Sequence, residues 1–307
     1  MRAALHDRYG PPSVLYQGQL PIPAVGDQDV LVRVTATTVN GGDLLMRAGR
    51  LRLVTGRKFP RMVGIDFVGE VVKAGAGVDI GDRVWGAVDE RRREGAAAEY
   101  VAVPAGNVAP APKNLSDTEA VTLLAGGTVA LTGLQDKTRL ARGERLLVRG
   151  ANGGVGSIAV QLGKHLGAHV TALSRSADFV RGLGADEVFD YSAQLGTFDV
   201  IFDTHGTELP RFRKLLTENG RMATIAFDLR TPVRSIGYLA ASTISGRVRF
   251  FRAAPSRARL DQLADLAERG ALRPVVHRVF DLSEIAAAHE MLEAGGVHGK
   301  VVLQVGK

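Results

Sequence analysis

The sequence predicts an α/β fold in which a β-rich domain is interrupted by a doubly wound domain with a parallel sheet. Three observations support this prediction. Residues 1–110 contain short apolar segments separated by glycine and proline, which is typical of β-rich domains. From about residue 144 onward, apolar strands alternate with helical segments, as in parallel sheets covered by helices. Glycine accounts for 37 of the 307 residues, against an ordinary usage of about 7%, which favours tight turns and close backbone approaches.

The N-terminal segments have the periodicity of half-buried strands. Apolar and polar residues alternate over 29–37, and segments 68–72 and 83–88 are similar. Beyond them, Ser116 precedes Glu119 by three residues, which is a capping-box pattern and predicts a helix that begins there.

The central and C-terminal segments predict the strand–helix alternation in more detail. We predict strands over 145–149, 170–173, 188–190, 199–203, 222–227 and 300–305, and amphipathic helices near 257–269 and 283–294. The most economical architecture has one domain formed by residues 1–115 and 257–307, with residues 116–256 as the inserted domain.

Cysteine is absent from the sequence, which excludes disulfides, thiolate nucleophiles and cysteine-ligated zinc or iron–sulfur centres. Among the histidines, only His165 and His169 have a spacing that suggests a ligand pair. Gly167 and Ala168 lie between them and predict the end of a helix, so the two imidazoles are not expected to share a face. We therefore expect no metal site.

Basic residues outnumber acidic ones by 39 to 32, a formal net charge of +7. The charges are dispersed, and the densest run, Arg91, Arg92 and Arg93, is flanked by Glu90 and Glu94. This pattern favours a solvated loop over a nucleic-acid site. The N-terminus lacks the long apolar segment of a signal peptide, and no stretch has about 18 uncharged apolar residues. We expect a cytoplasmic protein without a membrane segment.

A glycine-rich loop over 150–156 lies between a predicted strand and a predicted helix, which is the context of a dinucleotide site. Gly153 would let the backbone approach a pyrophosphate, and Gly156 would let the helix pack closely on the strand. The N–H groups at the helix N-terminus would face the phosphates. The alternative is a glycine-rich turn without a ligand. We expect four loop residues to contact the pyrophosphate: Asn152, Gly153, Gly154 and Val155.

The end of the next strand indicates which dinucleotide the loop binds. NAD sites usually place an acid about 20 residues beyond the glycines, where it bonds the ribose hydroxyls. Here Arg175 lies 19 positions after Gly156, between Ser174 and Ser176. No acidic residue lies between Gly156 and Asp178. A guanidinium and hydroxyls can bind a 2′-phosphate that a carboxylate would repel. We predict NADPH, bound by Ser174 and Arg175; the alternative is that Arg175 is only a surface residue.

Several motifs follow one another along nearly the whole chain. They are Met1-Arg2-Ala3-Ala4, Tyr9-Gly10-Pro11-Pro12, Gly64-Ile65-Asp66-Phe67-Val68-Gly69, the glycine loop, Asp190-Tyr191 and Gly299-Lys300-Val301-Val302-Leu303. Together they resemble the zinc-independent quinone oxidoreductase branch of the medium-chain dehydrogenase/reductase superfamily. The loop follows that branch's A-x-x-G-x-x-G fingerprint, with Gly150 in place of the alanine. Residues 260–302 are most similar to the reticulon-interacting oxidoreductases.

The resemblance implies a GroES-like β-rich catalytic domain, a Rossmann domain and an NADPH-dependent oxidoreductase activity. Where zinc-dependent relatives have a ligating cysteine, this chain has Asn40-Gly41-Gly42-Asp43, and their Gly-His-Glu is Gly64-Ile65-Asp66. Without a metal Lewis acid, no evident group stabilises an alkoxide. Hydride addition to a conjugated acceptor spreads the charge onto a distant oxygen. We therefore expect a quinone or an α,β-unsaturated carbonyl as substrate.

The resemblance also implies roles for three residues. It places Asn40 near the nicotinamide, with a structural role in a turn as the alternative. Asp43 is the candidate catalytic residue, which would orient the active-site loop or deliver a proton; a structural hydrogen bond is the alternative. Tyr191 matches a tyrosine that approaches the adenosine phosphate. No tyrosine occurs over 44–54, where some relatives have one, so water is a candidate proton source.

Two other functions stay open. An enoyl reductase acting on thioester-linked acyl chains would use the same fold and hydride chemistry. A redox sensor or nucleic-acid-binding protein would hold NADPH without turnover. The resemblance also implies a homodimer joined at the edge of the Rossmann domain, through residues 245–251.

Overall fold

The computed structural model describes residues 1–52, 56, 58–75, 77–88 and 95–306, with the backbone alone at 243–245. The chain divides into two compact units. Unit 1 consists of Met1–Ala125, Pro255–Gly270 and Pro274–Lys307, and unit 2 of Gly126–Ala254 and Ala271–Arg273. The three arginines at 91–93 lie outside the described residues, so the solvated loop expected there stays a prediction.

Each predicted strand segment except 222–227 matches an observed strand to within two residues at either end, and the structure adds strands that were not predicted. The observed strands are β1 (Arg2–His6), β2 (Tyr16–Gln19), β3 (Asp29–Val39), β4 (Arg61–Met62), β5 (Asp66–Lys73), β6 (Arg83–Ala87), β7 (Tyr100–Pro104), β8 (Val108–Pro110), β9 (Arg145–Arg149), β10 (His169–Leu173), β11 (Glu187–Phe189), β12 (Phe198–Asp203), β13 (Leu216–Thr224), β14 (Val248–Phe250), β15 (Val276–Asp281) and β16 (Lys300–Gln304).

The prediction over 222–227 was wrong at both ends, since β13 begins at Leu216 and ends at Thr224. Just beyond the strand, Ala226 N donates to Thr224 Oγ1 at 3.4 Å, a local side-chain bond of the kind that competes with sheet pairing.

The described helices are α1 (Gly41–Arg47), α2 (Asp117–Leu131, continued by a π-helical turn over Thr132–Lys137), α3 (Gly156–His165), α4 (Ala177–Gly182), α5 (Leu209–Arg213), α6 (Pro232–Ser245), α7 (Arg257–Glu268) and α8 (Ile285–Ala294). The predicted capping box before α2 is confirmed, because Ser116 N donates to Glu119 Oε2 at 2.9 Å and Glu119 N donates to Ser116 Oγ at 3.4 Å.

Unit 1 is β-rich, as predicted. A three-stranded sheet has the order β2-β1-β4, and a seven-stranded sheet has the order β15-β16-β3-β5-β6-β8, with β7 also paired to β3. The last strand, β16, runs antiparallel to β3 with Val301 opposite Val39. This register brings the start of β16 to the C-terminal end of β3, where Asn40 follows.

Unit 2 is a doubly wound parallel sheet, as predicted. The strand order is β11-β10-β9-β12-β13-β14, and every neighbouring pair is parallel. The order reverses at β9, whose buried residues Leu146, Leu147 and Val148 form the centre of the sheet. In such sheets ligands bind beyond the carboxyl ends of the strands at the reversal point. The glycine loop begins at that end of β9.

In the part of the chain that the structure describes, no helix has the length and apolar character needed to cross a membrane.

Candidate active site and cofactor loop

Packing requires glycine at both ends of the loop that connects β9 to α3. Gly150 has a φ of +83°, and a Cβ there would overlap Thr204 Oγ1 and lie 2.8 Å from His205 Nε2. A Cβ at Gly156 would overlap the carbonyl oxygen of Gly150. At these two positions the protein itself excludes any side chain.

Gly153, in the middle of the loop, is different. A Cβ at this position would meet only the Gly150 carbonyl oxygen, at an ordinary 3.8 Å, and its φ is not in the left-handed region. The chain therefore leaves room for a side chain here. A pyrophosphate lying against the loop is a physical reason for that space to stay empty. The loop thus fits a dinucleotide.

Side chains at the end of β10 hold the loop. The Ser174 hydroxyl donates a hydrogen bond to Asn152 Oδ1 and accepts one from Ser176 N at 2.8 Å. Because Ser174 has one hydroxyl hydrogen and directs it to Asn152, this serine shapes the loop. Arg175 is exposed, and no hydrogen-bond or ion-pair partner for it lies among the described residues. Arg175 is therefore the cation available at this strand end.

Partly buried Tyr191 and exposed His205 form a pair near the same edge of the sheet. The Tyr191 hydroxyl lies 3.3 Å from His205 Nε2 and 3.4 Å from Leu173 O, and the two rings are 5.5 Å apart. Desolvation lowers the pKa of His205, and the positive charge of Arg149 adds to this effect. Burial also raises the pKa of Tyr191, so both rings are neutral near pH 7. A neutral imidazole can accept the phenol hydrogen.

A buried ion pair lies beneath the loop, and sequence reasoning missed it. Arg149, the last residue of β9, has Nη1 3.0 Å from Oδ1 of Asp203, the last residue of β12. Asp203 also accepts from Gly206 N at 2.8 Å and from the Thr224 hydroxyl at 2.7 Å. The guanidinium stacks 4.2 Å from the centre of the Phe212 ring. These contacts fix the carboxyl ends of the two central strands.

In unit 1, Asn40 and Asp43 form a capping box at the start of α1. The Asp43 carboxyl accepts from Asn40 N at 2.8 Å and from Gly64 N at 3.2 Å. Burial raises the pKa of Asp43 to about 7, an effect that nearby Asp66 increases and the two N–H groups oppose. Its contacts with the backbone favour the structural alternative. Its role as a catalytic residue stays a prediction.

A buried Lys300 meets Asn40 from the neighbouring strand β16. Its ammonium donates to Asn40 Oδ1 and, at 3.1 Å, to Thr38 Oγ1, and it lies 3.8 Å from Asp66 Oδ2. Thr38 donates from its backbone N–H to Asp66 Oδ1 at 3.1 Å. Lys300 is 5% exposed and Asp66 is fully buried. Burial lowers the pKa of Lys300, whereas the carboxylates of Asp66 and Asp43 raise it.

The signal for this cluster was present in the sequence. Asp66 and Lys300 are charged residues that each begin a run of mainly apolar residues, and charges within such runs are seldom buried without a partner. What the sequence lacked was the register of β3 against β16, which determines the partner.

Among the described residues, no group of three or more histidines, aspartates and glutamates is arranged to hold a metal ion. The predicted cofactor contacts of the loop residues, Ser174, Arg175, Tyr191 and Asn40 stay predictions. The structure brings Asn152, Ser174 and Arg175 together at one end of the parallel sheet and places Asn40 in unit 1.

Two family descriptions match the chain. Residues 26–113 match the alcohol dehydrogenase GroES-like domain, and residues 183–303 match the zinc-binding dehydrogenase domain. The GroES-like and Rossmann-type assignment of the fold is therefore confirmed.

The chain is similar over almost its whole length to known oxidoreductases. It is 33% identical to the mitochondrial NAD(P)H oxidoreductase RTN4IP1 of Mus musculus, over 99% of this chain and 89% of that protein. It is 32% identical to the chloroplastic NADPH-dependent alkenal/one oxidoreductase of Arabidopsis thaliana, over 99% of this chain and 79% of that protein. The solved quinone oxidoreductase of Coxiella burnetii superposes with a TM-score of 0.91 at 29% identity, covering 100% of this chain and 99% of that one.

Proposed function

This chain belongs to the quinone oxidoreductase branch of the medium-chain dehydrogenase/reductase superfamily, and from that membership we propose that it reduces quinones or α,β-unsaturated carbonyls with NADPH. The observation that carries the proposal is the glycine loop. Packing within the chain accounts for Gly150 and Gly156, whereas Gly153 leaves an open space that a ligand against the loop would fill. A pyrophosphate has the shape and charge for that place.

A bound nicotinamide cofactor would supply the hydride, and the chain's own residues would hold it. The loop residues Asn152, Gly153, Gly154 and Val155 would contact the pyrophosphate. Asn152 is kept in place by the Ser174 hydroxyl. Tyr191, next to neutral His205, would approach the adenosine phosphate.

Arg175 supports NADPH over NADH. Its guanidinium is exposed, and no described residue neutralises it. A 2′-phosphate would supply the missing anion with charge-assisted hydrogen bonds. No carboxylate occupies the strand end to bond an unphosphorylated ribose instead.

The acceptor is a conjugated carbonyl, in which the charge of the added hydride spreads onto a distant oxygen, and the amide of Asn40 is suited to meet that oxygen. Asn40 offers an amide N–H donor on this side of unit 1, buried Lys300 contacts the amide oxygen, and Asp43 holds the backbone of Asn40. Fixed donors that face a developing negative charge are the most effective electrostatic catalysts. A solvent proton completes the reduction.

The proposal is tested by NADPH consumption with a matched pair of acceptors, an enone and its saturated ketone. We expect consumption with the enone and with a simple quinone, none with the saturated ketone, and no loss after exhaustive chelation with EDTA. Activity that disappears with EDTA and returns with zinc would overturn the proposal. Tight NADPH binding without consumption would favour the sensor, and a strong preference for thioester-linked enoyl chains would favour the enoyl reductase.

We also propose a cytoplasmic homodimer joined at the edge of the unit 2 sheet. The edge strand β14 carries a partly exposed Phe250, which supports this assembly. Light scattering during size-exclusion chromatography tests it: a monomer at micromolar concentration would contradict the dimer. Fractionation of cells tests the location.

A further inference from the structure

The residue types determine the direction of the hydrogen bonds around Asn40. The Lys300 ammonium can only donate, so the Asn40 atom that it contacts must be the oxygen, Oδ1. The Asp66 carboxylate can only accept, so the Thr38 hydroxyl, 2.8 Å away, donates to it. The Thr38 oxygen therefore has its lone pairs for Lys300 and for the amide nitrogen of Asn40, which lies 3.3 Å away.

The Asn40 amide nitrogen, Nδ2, has two hydrogens and only weak internal contacts. It lies 3.3 Å from Thr38 Oγ1 and 3.4 Å from Thr38 O, both long distances to atoms of a single residue. One hydrogen shared between these two atoms would leave the second for an outside acceptor. Thr38, Asp43, Asp66 and Lys300 are buried, whereas Asn40 is partly exposed. The buried cluster therefore reaches solvent through the amide of Asn40.

We propose that Lys300 is a positioning residue for the reduction, which holds the Asn40 amide so that the second Nδ2 hydrogen is presented to the carbonyl oxygen of the acceptor. This inference rests on the proposed reduction of quinones or enones. An enone that takes up a hydride at its β-carbon loses its C=C bond, and the electron pair moves to the carbonyl oxygen. A solvent proton at the α-carbon then restores the ketone. The donor on Nδ2 meets the oxygen while it is negative.

The charge of Lys300 strengthens this donor. A cation at the amide oxygen polarises the amide and makes its N–H hydrogens more positive. Two carboxyls, Asp43 and Asp66, face the same ammonium and favour its charged form, against the effect of burial. Removing Lys300 would leave the amide free to turn its oxygen outward, where it would repel the developing negative charge.

The first test is Asn40→Asp, measured at about pH 8, where an ordinary carboxyl is ionised. This variant keeps an oxygen for Lys300 and the backbone bond to Asp43, so the fold is retained, but it has no amide N–H. We expect kcat with the enone to fall about 100-fold or more, the usual effect of removing one such donor. The dissociation constant of NADPH should change much less than kcat, because Asn40 would contact only the nicotinamide, whereas the residues expected to hold the pyrophosphate and the adenosine phosphate lie in unit 2. An Asn40→Asp enzyme with the kcat of wild type would overturn the proposal.

The second test is a double-mutant cycle with Lys300→Met and Asn40→Ala, each checked for folding by thermal unfolding. If Lys300 acts through Asn40, Lys300→Met lowers kcat about 10-fold or more in the wild type and less than about 2-fold in Asn40→Ala. Equal losses in both backgrounds would show that Lys300 affects kcat independently of Asn40 and would contradict the proposal. The matched control is Lys164→Met, which removes a surface lysine paired with Asp186 at 2.7 Å and should leave kcat unchanged.

If Lys300→Met does not fold, because Asp66 is left buried without its cation, the Asn40→Asp result decides. The proposed function and this inference fail in different ways. A wild-type protein that consumes no NADPH with any quinone or enone removes the function itself. If the wild-type protein turns over and Asn40→Asp has the same kcat, only the role of the amide is disproved and the proposed function stands.

Discussion

Arg149 Nη1 lies 3.0 Å from Asp203 Oδ1, and both side chains are almost completely buried at the carboxyl ends of neighbouring strands. The glycine loop begins at the residue after Arg149, and the chain from Thr204 to Thr207 folds back over the pair. Arg149 donates to Thr207 Oγ1 at 2.8 Å, and the Thr204 hydroxyl donates to Arg149 O at 2.9 Å. The ion pair therefore joins the two segments that flank the predicted cofactor site.

We predict that Asp203→Asn destabilises the protein by about 3–5 kcal/mol, because the buried Arg149 guanidinium then keeps only the exposed Glu208, 3.6 Å away, as an ionic partner. Because the same strand ends carry the loop, NADPH binding should weaken in the fraction that stays folded. Chemical denaturation and cofactor titration measure the two effects. Asp178→Asn is the control: it removes an exposed ion pair with Arg181 and should change stability by less than about 0.5 kcal/mol. Equal stability of the two variants would contradict a structural role for the buried pair.

The pKa of Asp43, which burial raises to about 7, predicts a pH dependence of turnover. The ionised carboxylate accepts the N–H groups of Asn40 and Gly64, and protonation weakens both bonds. We therefore expect kcat to increase with pH through about 7. Asp66 and Lys300 face the same carboxyl, and the lowered pKa of Lys300 predicts a decrease at alkaline pH.

Asp43→Asn should remove the acidic limb of that profile and hold kcat near its low-pH value throughout. A pH–rate profile of the wild type and the variant, with NADPH saturating, measures this effect. If the acidic limb of the profile persists unchanged in Asp43→Asn, that limb arises from the titration of another group.

His289 is buried in α8, and neither of its ring nitrogens has a hydrogen-bond partner among the described residues. Burial lowers its pKa to about 3, and the positive charges of Arg47 and His6 contribute. Below pH 6.5 the His289 imidazole is protonated in the unfolded chain but stays neutral in the folded chain. The free energy of unfolding therefore decreases as the pH decreases. The loss is about 1.4 kcal/mol per pH unit, or about 2 kcal/mol between pH 6.5 and 5.

We therefore predict that His289→Leu loses less stability than the wild type between these pH values, and that it is at least as stable at about pH 7.5. Urea unfolding at several pH values measures both. The control is His165→Leu, at an exposed position, which should have the same pH dependence of stability as the wild type. Parallel stability curves for wild type and His289→Leu would show that the imidazole is not the titrating group.

The cofactor loop could be predicted from the sequence because its determinants are local. The strand 145–149, the glycines and Arg175 lie within about 30 consecutive residues, and β9 matches its predicted bounds. The contact of Lys300 with Thr38 joins residues 262 positions apart, and it depends on the register of two strands in one sheet. Neither periodicity nor motif spacing encodes that register, so the sequence shows Lys300 as a charge at the start of an apolar run and as part of a family motif, but does not show its partners.

Arg175→Asp tests the choice of cofactor. A charge-assisted contact with phosphate contributes about 1.5–3 kcal/mol where solvent does not screen it fully, which is about one to two orders of magnitude in affinity. We predict that the variant binds NADPH correspondingly more weakly and binds NADH as well as the wild type or better. Arg181→Asp, the same change of charge in α4, is the matched control. Equal affinity of the wild type for the two cofactors would contradict the role of Arg175.

The most direct test of the proposed reaction follows the hydride itself. The wild-type protein is incubated with NADPH deuterated at C4 of the nicotinamide, in turn on each face, and with an enone, and the product is analysed by mass spectrometry and NMR. We predict that one of the two labelled cofactors delivers a single deuterium to the β-carbon of a saturated ketone, while the α-carbon takes its hydrogen from solvent. Deuterium on the carbonyl carbon of an alcohol, or no transfer from either labelled cofactor, would contradict the account.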